Sequence, residues 1–193
     1  MTKTRLEAFS DGVLAIIITI MVLELKVPHD PNIEALAALL PVFLSYVLSF
    51  VYVGIYWGNH HHLLHTVTKI SSSMIWANLH LLFWLSLIPF TTGWMGENHF
   101  ETYPVTLYDL NLLLCGFAYS ILQKTIMKHN KFDPKLTLAM KKQQQKGYLS
   151  LLGYSLALPI AFYNSIISSV IIVGIAIIWL IPDTNIEKAL KED

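Results

Sequence analysis

The sequence predicts an all-α integral membrane protein, a single domain over residues 1–193 with six transmembrane helices. Apolar residues make up 54% of the chain, and only 13% of residues are charged, against about 25% in an ordinary soluble domain. The mean hydropathy is +0.54. Apolar stretches long enough to cross a hydrocarbon core of about 30 Å recur along the whole chain. A water-soluble globular domain is therefore not expected.

The six apolar segments follow one another with short polar connections. They cover residues 6–25, 34–57, 73–95, 104–126, 148–163 and 166–181. The first is a retained helix rather than a signal peptide, because it lacks a small-residue cleavage site and contains Glu7 and Asp11 where an apolar core would begin. Pro134 interrupts a long basic loop over 127–147. Only two residues separate the last two segments, which predicts a tight helical hairpin.

The distribution of cations predicts the orientation. If the amino terminus is cytoplasmic, every lysine and arginine except Lys26 falls at an inner position. The positive-inside rule then predicts a multi-pass protein of the cell inner membrane with both termini in the cytoplasm. Basic and acidic residues number 13 each, so no nucleic-acid partner is expected. Membrane lipid is the expected surrounding, and the lysine-rich loop 124–146 sets topology or docks anionic headgroups.

The first segment differs from the other five because polar residues cluster at its inner end. An ionisable group inside a membrane is expensive, so Asp11 needs a partner such as Arg5 or a histidine. At 100° per residue, a stripe about 100° wide contains four residues of the outer half, namely Ile16, Thr19, Ile20 and Leu23. Asp11 lies about 140° from Ile16. Periodicity alone leaves open whether this stripe faces lipid, other helices or a pore.

The motif Arg-x-x-x-Phe-Ser-Asp, followed by Ala-Ile-x-x-Thr-x-x-x-Leu, resembles the first-helix signature of the transmembrane protein 175 family of cation channels. It is carried here by Arg5, Phe9, Ser10 and Asp11, and then by residues 15–23. The resemblance implies a homotetramer in which the first helix lines a central pore. It also implies that Ile16, Thr19, Ile20 and Leu23 form the constriction, while the Arg-Phe-Ser-Asp motif supports the pore helix.

On this resemblance the chain is expected to be a potassium-permeable channel that conducts passively, with permeant K⁺ ions and no cofactor. Rings of isoleucine and leucine would form a narrow, poorly wetted neck, and a ring of Thr19 hydroxyls would offer oxygen ligands to a cation. The sequence has no Thr-Val-Gly-Tyr-Gly filter, so modest selectivity is expected. Glu24 lies about 80° from Ile16, and is either at the pore mouth or at a solvated helix end.

Two alternatives to the potassium-channel hypothesis rest on histidines. His80, midway along the third segment, is a candidate contact of Ser10 or Asp11, or a proton relay, so a proton-conducting channel is a second hypothesis. His61 and His65 are four apart and share a helix face, which is compatible with a membrane-embedded metal-dependent hydrolase. No acidic residue stands near them to complete a ligand set, so no metal site is expected. The sequence contains no arrangement of nucleophilic residues that indicates catalysis, so the chain is not expected to be an enzyme. Asp109 is expected at the outer interface or vestibule.

Overall fold

A computed structural model describes residues 2–180, and every regular element in that range is helical. In chain order the α-helices are α1 (Lys3–Met21), α2 (Ile33–Ala37), α3 (Leu40–His65), α4 (Ser72–Ser86), α5 (Ile88–Glu97), α6 (Thr102–His129), α7 (Pro134–Ala161) and α8 (Ser165–Leu180). A short 3₁₀ turn, Val22–Glu24, extends α1. The prediction of an all-α protein is confirmed for the described residues.

Four helical segments are long and apolar enough to cross a membrane: Lys3–Glu24, Leu40–His65, Ser72–Glu97 and Thr102–His129. They overlap the first four predicted segments, but the second begins six residues later and ends eight residues later than the predicted 34–57. The third consists of α4 and α5, which meet near Leu87. Pro89 stands in the first turn of α5. Its missing N–H costs no helical hydrogen bond there, because the first backbone donors of a helix have no intrahelical partner. α8 is apolar but shorter.

The predicted basic loop over 127–147 is wrong in most of its length, because α7 begins at Pro134 and continues without interruption to Ala161. Proline is favourable at the first helical position. The Asp133 side chain caps the helix by accepting from the amides of Lys135 and Leu136, at 2.7 and 2.9 Å. The predicted fifth segment is therefore the second half of a longer helix. The prediction of the sixth segment extends to Ile181, and the predicted orientation also counts Lys188 and Lys191. These three residues lie outside the described part of the chain.

The tight hairpin between the last two helices is confirmed. Three residues join α7 to α8, and the Asn164 side chain accepts from the amides of Ile166 and Ile167 at the start of α8. α6 lies at the centre of the bundle, packed against α4 and α7, and Cys115 in its middle is fully buried. α1 packs at one side of the bundle against α3, α4 and α5.

Candidate pore-lining helix and its anchor

α1 has two faces of different character. Leu6, Leu14, Ile17 and Met21 are at most 3% exposed and pack into the helix bundle. The opposite face is uncovered by any other described part of the chain. Its large side chains include Ile16, which is 58% exposed, and Leu23, which is 73% exposed. All four residues of the predicted stripe, Ile16, Thr19, Ile20 and Leu23, lie on this uncovered face.

The Arg-Phe-Ser-Asp motif divides between the two faces. Phe9 is half exposed and lies about 20° from Ile16 around the helix axis, so it extends the uncovered face toward the inner end. Arg5 is exposed on the same side. Ser10 is fully buried and Asp11 partly so. Only the Ser-Asp half of the motif therefore holds α1 against its own chain.

Ser10 anchors α1 through a buried hydrogen-bond network. Its hydroxyl donates to the Leu6 carbonyl at 2.9 Å, one turn earlier, and accepts from Asn78 Nδ2 of α4 at 2.9 Å. Asn78 Oδ1 in turn lies 2.6 Å from His60 Nε2 of α3. Because the amide oxygen accepts, His60 Nε2 carries the proton in this arrangement. The network links three helices, and each member is buried.

Asp11 finds its partner on α3. Trp57 Nε1 donates to Asp11 Oδ1 at 3.1 Å, so the partner is a tryptophan rather than the arginine or histidine that the sequence suggested. Near the start of α1, Lys3 Nζ donates to the His65 carbonyl at 2.6 Å and lies 3.9 Å from Glu7 Oε1. The amino-terminal half of α1 is thus tied to α3 by polar contacts, whereas the carboxyl-terminal half packs through apolar side chains.

The expected contact of His80 with Ser10 or Asp11 is wrong. His80 Nε2 accepts from Trp84 Nε1 at 2.9 Å, one turn later on the same helix. Asn78 and His80 differ by about 200° around the axis of α4, so when Asn78 faces α1 the histidine points away. The sequence does contain a signal for the correct partner, Asn78. A side-chain amide within an apolar segment must be hydrogen-bonded.

The histidine cluster on α3 also divides. His60 is buried in the anchor network, whereas the exposed rings of His61 and His65 stack with centroids 6.3 Å apart. Within residues 2–180, no three histidine, cysteine, aspartate or glutamate side chains are arranged to hold a metal ion. The structure brings together no ligand set for the hydrolase alternative in that range.

At the outer end of α1, Glu24 turns toward its own chain. A Cβ placed on Gly93 of α5 would lie 3.1 Å from the Glu24 carboxyl, so the carboxyl rests on that glycine rather than beside Leu23. Lys26 Nζ contacts Glu97 Oε1 at 2.8 Å. The hydrogen bond and charge of Glu97 raise the pKa of Lys26 above its usual value, and Glu24 adds to the effect.

Comparisons with known proteins identify related sequences. The family model described as endosomal/lysosomal potassium channel TMEM175 matches residues 5–89, which include α1 and the anchor network. A potassium channel of Chryseobacterium sp. (strain P1-3) is 52% identical over the full length of both chains. The endosomal/lysosomal proton channel TMEM175 of Gallus gallus is 37% identical over 101 residues, 46% of this chain and 20% of that protein.

The fold has a counterpart among solved structures. A crystal structure of a homologue, from Chamaesiphon minutus, of the lysosomal potassium-selective channel TMEM175 superposes with a TM-score of 0.84 at 24% identity, covering 94% of this chain and 97% of that one. The family and these relatives are ion channels, not enzymes. With the full-length match at 52% identity, they establish that the chain belongs to the TMEM175 family of ion channels.

Proposed function

We propose that the chain is the subunit of a homotetrameric, potassium-permeable channel in which α1 of four copies lines a central pore. The observation that carries this proposal is the uncovered face of α1. The opposite face is fixed to three helices, so α1 sits at the side of the bundle with one continuous face left to meet other copies. The Chryseobacterium relative is named a potassium channel, which supports K⁺ as the permeant ion.

Fourfold symmetry would turn each uncovered side chain into a ring. Ile16 and Leu23 are about 10.5 Å apart along the axis, so their rings and that of Ile20 would form an apolar neck. Such a neck excludes water when it is narrow and conducts only when it widens enough for a hydrated ion. We therefore assign gating to dewetting of this segment.

Thr19 supplies the oxygen atoms of the proposed neck. Its hydroxyl donates to the Ile16 carbonyl at 2.9 Å, which directs the hydroxyl proton toward the helix backbone and leaves the oxygen lone pairs free to accept. Four such oxygens would serve as ligands for a partly dehydrated K⁺. The site uses permeant ions and no cofactor. Glu24, directed toward α5, contributes negative charge near the outer mouth rather than a pore-lining ring.

Six spans are part of the proposal. Residues 148–161 of α7 and the helix α8 would add two short spans to the four long ones, each about 21–24 Å at 1.5 Å per residue. Trp76 of α4 and Trp94 of α5 lie 18 residues apart, about 27 Å along the helix axis. We assign them to the two opposite membrane interfaces, where tryptophan is enriched. Tyr148 and Tyr163 similarly bracket the α7 span.

The orientation follows from the cations. Lys3 contacts the end of α3, and the Asn130 side chain accepts from the Thr68 amide, so the amino terminus, the 66–71 connection and the lysine-rich end of α6 share one side. Lys26 lies beyond the other end of α1. We infer that the lysine-rich side is cytoplasmic and that the protein resides in the bacterial inner membrane with cytoplasmic termini.

Thiol accessibility tests whether the uncovered face of α1 meets water or lipid. Cys115 is the chain's single cysteine and is fully buried, so the wild type is an unreactive background. Thr19→Cys in proteoliposomes is expected to lose K⁺ flux on treatment with a charged, membrane-impermeant thiol reagent. Phe83→Cys, on an exposed face of α4, is the control and should keep its flux. Unchanged flux in treated Thr19→Cys, or equal loss in both, would refute the pore assignment.

Proton conduction is the second candidate, favoured by the name of the vertebrate relative and by a buried histidine, His60, hydrogen-bonded within the anchor of α1. Reversal potentials measured under separate K⁺ and H⁺ gradients distinguish the two. A potential that follows the K⁺ gradient supports the leading proposal, and one that follows pH alone supports proton conduction.

A further inference from the structure

A buried carboxyl lies in the body of the subunit, away from α1. Asp109 of α6 was expected at the outer interface, but it is completely buried. Its Oδ2 lies 2.6 Å from Ser168 Oγ of α8, and its Oδ1 has no hydrogen-bond partner in the described part of the chain. A buried carboxylate without a cationic partner costs several kcal/mol, so its protonation state needs an explanation.

The hydrogen bonds of Ser168 supply that explanation. Ser168 Oγ lies within hydrogen-bond distance of two oxygens, Asp109 Oδ2 at 2.6 Å and the Ala157 carbonyl of α7 at 2.9 Å. A hydroxyl carries one proton, and a carbonyl cannot donate. Two separate, full-strength hydrogen bonds form at the same time if Asp109 donates to Ser168 and Ser168 donates to Ala157, whereas an ionised Asp109 leaves one hydroxyl proton to be shared between two acceptors.

Within residues 2–180, no compensating charge is found beside Asp109. The titratable side chains beside it are phenols, Tyr108 of α6 and Tyr154 of α7. Tyr108 is bonded to Ser49 of α3 at 2.9 Å, and Tyr154 to Tyr52 of α3 at 3.2 Å. The ion pairs Lys3–Glu7 and Lys26–Glu97 lie elsewhere and do not involve Asp109. A neutral acid is the form that this environment accommodates.

We propose that Asp109 is a proton-binding site, a carboxylic acid that joins α6 to the α7–α8 hairpin through Ser168. Ionisation of Asp109 removes the donated proton, leaves Ser168 to serve two acceptors with one hydroxyl, and places an unpaired charge in the bundle. The hairpin is therefore held tightly only while the acid is protonated. The inference does not depend on the proposed conduction, because it concerns the body of the subunit.

Infrared spectroscopy of the purified full-length protein tests the protonation state. At pH 7 the wild type is expected to show the carbonyl band of a protonated carboxyl, and Asp109→Asn, which keeps a donor for Ser168, is expected to lack it. Asp133→Asn, at an exposed helix cap, is the control and should retain the band. The proposal would be overturned if the wild type lacked the band, or if Asp109→Asn retained it.

Two further measurements keep the test decisive if Asp109→Asn fails to fold. Ser168→Ala removes the acceptor, so the band should move to higher frequency as the acid loses its hydrogen bond. In the wild type, the folded state binds one more proton than the unfolded state, so the folding equilibrium constant should fall by up to tenfold per pH unit as pH rises. An unshifted band in Ser168→Ala, or a wild-type Tm flat with pH, would contradict the assignment.

Discussion

The two faces of α1 show how one helix can be both fixed and exposed. The face toward the bundle combines apolar packing with a polar anchor, in which Ser10, Asn78 and His60 satisfy one another in the interior. The opposite face carries large apolar side chains with no intrachain contacts that cover them. The anchor fixes the rotation of α1, and that rotation decides which residues remain uncovered. Stability of the subunit and the proposed conduction should therefore depend on different residues of the same helix.

The largest effect is expected at the anchor. Asn78→Ala leaves the Ser10 hydroxyl and the His60 ring without their shared partner. The loss for these two buried polar groups should lower the unfolding free energy by roughly 2–5 kcal/mol. We expect loss of the folded, assembled protein, measured by size-exclusion chromatography and thermal unfolding in detergent.

His80→Ala is the matched control for that variant, two residues away on the same helix. It removes one partly buried hydrogen bond to Trp84, worth about 1 kcal/mol, and should assemble normally. Equal damage from both variants would show that the anchor network does not set the position of α1.

Asn78 and His80 also show where sequence reasoning succeeds and where it stops. The apolar segments identified the four long spanning helices, because these follow from local pattern alone. The 3.6-residue period placed the stripe residues on one face of α1 but did not decide what that face meets. Which polar residue meets Ser10 depends on the rotation of α4 against α1, a tertiary property that the sequence of neither helix contains. Phe9 is a different case, because the motif suggested support for the helix although the helical period alone places Phe9 about 20° from Ile16.

α7 and Asp109 illustrate a second limit. A polar, lysine-rich stretch reads as a loop by hydropathy, yet residues 134–147 are good helix formers with a capped start and continue as one helix. For Asp109, hydropathy suggested the interface because a charge is costly in lipid. The structure buries it instead opposite Ser168, a partner 59 residues away.

The next effect concerns the uncovered face. Ile16→Ala and Leu23→Ala should raise K⁺ leak through proteoliposomes severalfold, because smaller rings widen and hydrate the neck. Their unfolding free energy should change by no more than about 0.5 kcal/mol, as expected for exposed positions. Phe83→Ala, with 55% exposure on α4, is the control and should leave the leak unchanged. If the α1 variants conduct like Phe83→Ala, the uncovered face does not form the constriction.

Thr19 gives a smaller and more specific effect. Thr19→Ala removes the proposed oxygen ring and should lower the K⁺ to Na⁺ permeability ratio by less than about tenfold, or 1.4 kcal/mol. Thr19→Ser keeps the hydroxyl and should preserve most of the ratio. Bi-ionic reversal potentials measure both, and identical ratios in the wild type and Thr19→Ala would exclude the hydroxyl as a selectivity element.

The smallest effect is expected at the ends of the spans, at the Lys26–Glu97 pair. Glu97 raises the pKa of Lys26, so the pair stabilises the protein while Lys26 is charged, and that contribution is lost as pH rises through the raised pKa. Because both side chains are exposed, the contribution is small and screened by salt. Glu97→Gln should lower the Tm slightly at neutral pH and low salt, and the difference should vanish at high salt or strongly alkaline pH. A difference that persists under both conditions would mean that Glu97 acts through packing rather than charge, and the outer end of α1 would then be fixed as firmly as its inner end.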